Sequence, residues 1–249
     1  MQYGICHLSI VPVRIEAADQ SELVTQLLYG EHFQVLEQRK KWSRIRIAFD
    51  NYEGWIDNKQ FQLITKDEFE SISNKEAIYS SDLIEFVGDH EDQLYPIPLG
   101  ASLHNISLLE HAHDGNVITG QQEKSHLINS ALQYMNSPYL WGGKTPFGID
   151  CSGFTQMVYK LNGYTLLRDA SQQATQGQAL SFIEESEPGD LAFFDNEEGV
   201  IVHVGIILKD NYIIHAHGKV RIDRLEHSGI YNVEKRTHTH KLRVIKKII

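Results

Sequence analysis

The 249-residue chain is 41% hydrophobic and 22% charged, a globular composition that excludes disorder and leaves room for two or three domains. Twenty-three basic against thirty-three acidic residues give a net charge of −10, which argues against nucleic acid, whose binding rests on neutralising phosphates. Only Cys6 and Cys151 are present, so a disulfide framework is excluded and a reducing compartment is expected.

The opening run MQYGICH lacks the basic and apolar regions of an export signal. No apolar stretch approaches the ~20 residues of a membrane span, so cytoplasmic placement and no membrane partner are expected. Residues 1–64 read as all-β. Short strand-like runs cover Ile5 to Val13, Leu23 to Leu28, His32 to Glu37, Ser43 to Phe49 and Gly54 to Ile56, with turns at 29–31 and 50–51. Five such strands in about sixty residues predict a small barrel. Thr65 and Glu68 have the spacing of a capping box, which predicts a short charged helix over 65–74. Residues 77–120 return to strand-like runs, so further β structure is expected over 65–121. His104, His111 and His113 lie there, but a His-x-His pair reads as a solvated strand, and no metal site or cofactor is expected.

Residues 122–249 mix helix and strand, which predicts an α+β domain. Leu127, Ile128, Ala131, Leu132 and Met135 make one helical face from Ser125 onward. The run 138–154, PYLWGGKTPFGIDCSGF, is a turn-rich stretch that opens into a helix at Cys151, with Phe154, Val158 and Leu161 at helical spacing. A cysteine on a first turn meets the positive end of the helix dipole, and with a cationic imidazole nearby a thiolate would be available at neutral pH. Downstream, the apolar runs 200–208 and 212–217 flank Lys209, Asp210 and Asn211 as an antiparallel hairpin. A three-residue loop pairs Gly205 with His215 and puts His203, His215 and His217 on one face. Asn211, tolerant of the left-handed conformation, favours that register over a two-residue loop. A thiol facing two histidines suits nucleophilic hydrolysis: one ring takes and returns the proton, the second orients it. A helix near Ser171 and strands at 191–194, 219–223 and 241–248 complete the prediction.

The segments DCSG (150–153), HVGI (203–206) and the following His215 resemble the Cys-His-His triad of the NlpC-type papain-like cell-wall peptidases. YLWGG (139–143), RDASQQ (168–173) and PGDLAFF (188–194) are similar to that family too. The resemblance implies a papain-like fold over 122–249, Cys151 as nucleophile, His203 as base and His215 as orienter. Tyr139 would set its hydroxyl near the developing oxyanion. QLLYGEHFQVL (26–36), WSRIR (42–46) and YEGWI (52–56) resemble the bacterial SH3-like domains that accompany these peptidases, and because related enzymes carry two, the resemblance implies a linker helix and a second, degenerate SH3-like β domain over 65–121.

Membership implies cleavage of murein peptides between the γ-carboxyl of D-glutamate and L-lysine or meso-diaminopimelate. Asp150 and Ser152 flank the nucleophile, and a carboxylate there raises a thiol pKa, so its expected use is to bind a substrate amine. Relatives with an SH3-like partner close one end of the groove with a tyrosine and a glutamate. Tyr52 and Glu22 are the candidates, with Glu16 and Glu31 as rivals to Glu22. Trp141, Ser171 and Arg168 complete the substrate-binding set, Arg168 either as a clamp on a substrate carboxylate or as half of an internal ion pair. The expected partner is a murein tri- or tetrapeptide with a free N-terminal L-alanine, trimmed in the cytoplasm during recycling. The alternatives are a secreted wall-remodelling endopeptidase, a wall-binding SH3-like protein with a spent catalytic domain, and an acyltransferase of permuted papain-like core.

Overall fold

The computed structural model describes residues 2–249. The chain divides into two compact units: one holds the residues up to Gln121 with Trp141–Pro146, the other Gln122–Leu140 with Phe147–Ile249.

In the first unit, strands β1 (Gln2–Ile5), β2 (Ile10–Arg14), β3 (Leu23–Leu28), β4 (His32–Gln38), β5 (Trp42–Ile47), β6 (Glu53–Asp57) and β7 (Gln62–Ile64) form one antiparallel sheet in the order β3-β2-β6-β5-β4-β1-β7. Alternation sets the two faces. Along β5, Ser43, Ile45 and Ile47 are buried, while Arg44 and Arg46 turn outward onto Glu53. The inward side chains, among them Val11, Val13, Leu27, Phe33 and Ile56, pack with Cys6 into one core. The long run expected at 5–13 is two strands, because the chain breaks pairing between Cys6 and Ser9. Helix α1 (Lys66–Ser73) has Thr65 as its cap, with Glu68 returning the bond to the Thr65 backbone. Beyond it, β8 (Ile78–Ser80), β9 (Ile84–Gly88), β10 (Leu94–Pro98) and β11 (Val117–Thr119) form two ribbons, β10-β9 and β11-β8. Val87 of β9 and Ile97 of β10, with Ala101 and Leu103 from the segment after β10, share a core with Ile5 and Tyr29. The segment 141–146, which contains the short strand β12 (Lys144–Thr145), contributes a fully buried Lys144 that pairs with Glu31 at 3.2 Å.

In the second unit, α2 (His126–Gln133), β13 (Gly148–Ile149), α3 (Cys151–Leu161) and α4 (Ala170–Gln173) precede the strands β14 (Gln178–Leu180), β15 (Leu191–Asp195), β16 (Ile201–Ile207), β17 (Tyr212–His217), β18 (Lys219–Glu226), β19 (Gly229–Asn232) and β20 (Thr237–Lys247). The sheet order is β14-β20-β15-β16-β17-β18-β19. The eleven-residue β20 also pairs with β19 through its first half and with β15 through its second, so the sheet closes on itself. That closure, and β19, are absent from the sequence prediction. Phe194, Ile207, Ile213, Leu225 and Ile230 form one apolar cluster of this sheet. Helix α3 is buried along its whole length and packs on β16 and β17.

Candidate active site

Cys151 is the first residue of α3, and Asp150 caps that helix by accepting the Gly153 N–H at 2.6 Å. The same carboxylate takes a two-pronged contact from the buried Arg168, at 2.6 and 3.0 Å, and Arg168 also donates to the Ser152 hydroxyl at 3.0 Å. Gln173 holds the arrangement from behind, donating to the Ser152 carbonyl and accepting from the Thr155 hydroxyl. This selects one of the two readings of Arg168 and corrects the expectation for Asp150. Arg168 is half of an internal ion pair, its planar fork turned onto a matching carboxylate, and is no clamp for a substrate carboxylate. Asp150, expected to receive a substrate amine, already carries the cap and the guanidinium, and Ser152 is a buried part of the same network.

The hairpin has the register in which Gly205 faces His215, with Asp210 and Asn211 both at positive φ in the loop. His203, Gly205 and Ile207 share one face of β16. Glycine is required at 205: a Cβ there would stand 2.8 Å from the His215 Cβ, so the bare backbone makes room for the ring. His203 Nε2 and His215 Nδ1 lie 2.8 Å apart, and His215 Nε2 lies 3.2 Å from Asp223 Oδ2. Asp223 in turn accepts from Arg221 at 2.8 and 3.1 Å and from Asn232 at 3.3 Å. Among the described residues, this makes one continuous polar chain from β16 through β17 and β18 to β19.

The Cys151 sulfur reaches the backbone of Val204, beside His203. Burial foremost, then the Asp150 charge, pushes this thiol up to about 12. Burial also holds His203 well below the ordinary histidine value, as do the neighbouring imidazoles of His215, His240 and His217. The expectation of a resting thiolate beside a cationic imidazole is therefore reversed. Burial disfavours the charged form of each, and the resting pair is neutral thiol and neutral imidazole. Tyr139 is half-exposed, and burial, then the charges of Cys151 and Asp150, raise its phenol, which stays protonated and able to donate.

One nitrogen from each of His203, His215 and His240 falls within 4.8 Å of the others, the spacing of a metal-ligand set. Two features oppose that use. The His203 and His240 rings stack at 4.1 Å and 22°, so their in-plane lone pairs run side by side without converging. The 2.8 Å contact between His203 Nε2 and His215 Nδ1 is a hydrogen bond, so one of these two nitrogens carries a hydrogen and the pair does not offer two free lone pairs to one ion.

The remaining predicted residues are placed as follows. In the first unit, the exposed Trp141 donates its indole N–H to Glu22 at 2.6 Å. Tyr52 is half-buried and lines a cavity of about 330 Å³ with Ile15, Val24, Arg44 and Trp55. Of the rivals to Glu22, Glu31 is buried against Lys144 and Glu16 is exposed. Ser171, expected in the substrate-binding set at the start of a helix, is an exposed residue within α4. Asp169 caps that helix, reciprocally with Gln172. The sequence reading missed Asp223, Asn232 and His240. A signal for Asp223 was present: a turn at Gly218 pairs His217 with Lys219, hence Ile213 with Asp223, which puts Asp223 on the histidine face.

Residues 136–240 match the NlpC/P60 family, and residues 13–61 match the bacterial dipeptidyl-peptidase SH3 domain. A gamma-D-glutamyl-L-lysine dipeptidyl-peptidase of Bacillus cereus is 27% identical over 231 residues, covering 79% of this chain and 68% of that protein. One of the same name from Bacillus subtilis is 27% identical over 228 residues, 82% of this chain and 75% of that one. A crystal structure of an NlpC/P60 family protein from Bacillus cereus shares the fold with a TM-score of 0.80 at 20% identity, covering 99% of each chain.

Proposed function

We propose that this chain, whose residues 136–240 match the NlpC/P60 family and residues 13–61 the bacterial dipeptidyl-peptidase SH3 domain, is a cysteine peptidase of murein peptides. Its substrate is a tri- or tetrapeptide with a free N-terminal L-alanine, cut between the γ-carboxyl of D-glutamate and L-lysine or meso-diaminopimelate. The names of the Bacillus relatives, aligned through four-fifths of the chain, support the bond chosen. The observation that carries the chemistry is the buried Cys151 on a capped helix start against the strand of His203, whose ring is joined to His215 at 2.8 Å.

Both partners rest neutral, so the thiol proton passes to His203 as the sulfur attacks the γ-carbonyl carbon. The oxyanion of the tetrahedral intermediate takes hydrogen bonds from the Cys151 N–H and the Tyr139 hydroxyl. His203 returns its proton to the departing amine of the diamino acid, leaving a thioester of the L-alanyl-D-glutamyl group. A water activated by His203 then releases the dipeptide and restores the thiol. Glu22, Tyr52 and Trp141 are our proposed readers of the peptide's amino end. Both cysteines are free, which suits a reducing compartment, and we assign the enzyme to the cytoplasmic recycling of wall peptides.

Mass-spectrometric digestion of L-Ala-γ-D-Glu-L-Lys, its N-acetylated form and intact wall tests this reading. The free peptide should be cut at least about a hundredfold faster than the acetylated one, a difference of about 2.7 kcal/mol in the barrier. Equal cleavage of the acetylated peptide or of crosslinked wall would overturn the amine requirement in favour of a wall-remodelling endopeptidase. No cleavage of any would overturn the enzyme.

A further inference from the structure

Asp223 lies outside the Cys-His-His set, yet it is buried and ends the polar chain that begins at the base. Its position determines which nitrogen of His203 carries a hydrogen. Burial alone would raise the Asp223 carboxyl, but the bonds from His215 and Arg221 outweigh it and hold the group ionised. A carboxylate only accepts, so His215 must present its hydrogen at Nε2, the atom 3.2 Å from Asp223. Burial holds His215 below the ordinary histidine value despite that carboxylate, so the ring is neutral and has one hydrogen. Its Nδ1 is then bare and accepts. The atom 2.8 Å away, His203 Nε2, must donate, and the single hydrogen of the neutral His203 is used there. Nδ1 of His203 is left with the free lone pair.

We propose that Asp223 is a positioning residue that fixes, through two imidazoles in series, the tautomer in which His203 Nδ1 receives the thiol proton. The proposal rests on the reading of His203 as the base of Cys151 and deepens it. Three donors converge on Asp223 Oδ2: His215 Nε2, Arg221 Nε and Asn232 Nδ2. They aim the acceptor at His215 and leave no other orientation that satisfies all three. When His203 becomes a cation during attack, the carboxylate opposes its charge from the far side of His215, without taking a proton.

The convergence of donors distinguishes two substitutions. In Asp223→Asn, the amide oxygen should occupy the Oδ2 position, because an NH₂ there would face three donors. The tautomers should then persist while the charge is lost, and kcat should fall about tenfold. In Asp223→Leu no acceptor is left, both imidazoles should become tautomer mixtures, and kcat should fall on the order of 10³-fold with KM within about threefold. Long-range ¹⁵N–¹H spectra of histidine-labelled protein read the ring hydrogens directly. The wild type should show His203 and His215 both as Nε2–H, and this measurement stands even if the leucine variant does not fold. A wild-type His203 found as Nδ1–H would overturn the proposal, as would an Asp223→Leu enzyme with wild-type kcat, or one that loses activity with its tautomers unchanged. Absence of peptidase activity in the wild type would sink the catalytic reading alone, since the spectra decide the relay independently.

Discussion

The two units each hold one cysteine, and burial pushes both thiols up to about 12. Cys6 sits among Val11, Leu27 and Phe33, and its sulfur donates to the Leu8 carbonyl. Cys151 begins a capped helix whose neighbour strand carries His203. Acidity of the thiol therefore does not separate the proposed nucleophile from the structural cysteine. The separation lies in what can take the proton. The face that fills the first barrel with apolar side chains corresponds, in the second sheet, to a face that passes from Ile207 and Ile213 to His203 and His215. Both sheets have a dry inner face, but only the second uses part of it to keep imidazoles neutral.

The sharpest way to break this comparison is to remove each thiol. Cys151→Ala should lower kcat at least about 10⁴-fold with melting behaviour unchanged, whereas Cys6→Ala should keep kcat within about twofold and lose roughly 1–2 kcal/mol of stability. Peptide hydrolysis and urea titration on both variants check this, and a catalytic loss in Cys6→Ala would erase the distinction. The next effect concerns the buried ion pair that each unit holds, Lys144 with Glu31 and Arg168 with Asp150. Removing one member of such a pair costs about 3–5 kcal/mol, because the other charge stays buried. Glu31→Gln should show that loss in urea with kcat retained in the folded fraction. Arg168→Met should show it together with a fall in kcat, since the same guanidinium steadies the cap in front of Cys151.

Tyr139 divides the units differently, because it acts only if its phenol donates to an oxyanion. Tyr139→Phe should reduce kcat about a hundredfold and leave KM and stability nearly unchanged. A parallel rise in KM would instead make the ring part of the peptide's binding surface.

How far all this could be read from the residues depends on the range of the interaction that sets each feature. The strand at 23–28 and the capped helix at 66–73 follow from local alternation and from the Thr65–Glu68 spacing, and both stand where the sequence puts them. Hairpin parity likewise placed Gly205 opposite His215. By contrast, the closure of the second sheet depends on β20 leaving β19 midway and joining β15, a pairing between segments more than forty residues apart that no local pattern encodes. The protonation state of Cys151 was misjudged for a related reason: a helix start is visible in the sequence, while the depth at which it is buried is not. Arg168 shows the same limit, since a guanidinium near a cleft and one folded beneath it have identical sequences.

The mildest test uses acid, and its sign follows from the same dry interior. His203 and His215 are both held below the ordinary histidine value by burial foremost, His203 further by its neighbouring imidazoles and His215 in spite of the Asp223 carboxylate. In the unfolded chain both titrate near about 6.5. Above that pH neither state binds these protons, and the two rings make stability independent of pH. Below it the unfolded chain takes up protons that the native state refuses, so unfolding becomes progressively easier. The slope is at most about 1.4 kcal/mol per pH unit for each ring, and it ends where the folded pKa is reached. Urea midpoints measured from about pH 8 to 5 should therefore be level at first and then fall. Replacing His215 with Gln, which keeps a polar group but does not titrate, should reduce the slope by the share of one ring among the six histidines that burial holds low, His7, His111, His203, His215, His217 and His240. A fall that begins above pH 7, or one that survives the loss of His215 undiminished, would show that the protons bind elsewhere and that the imidazole face is not the dry surface described for it.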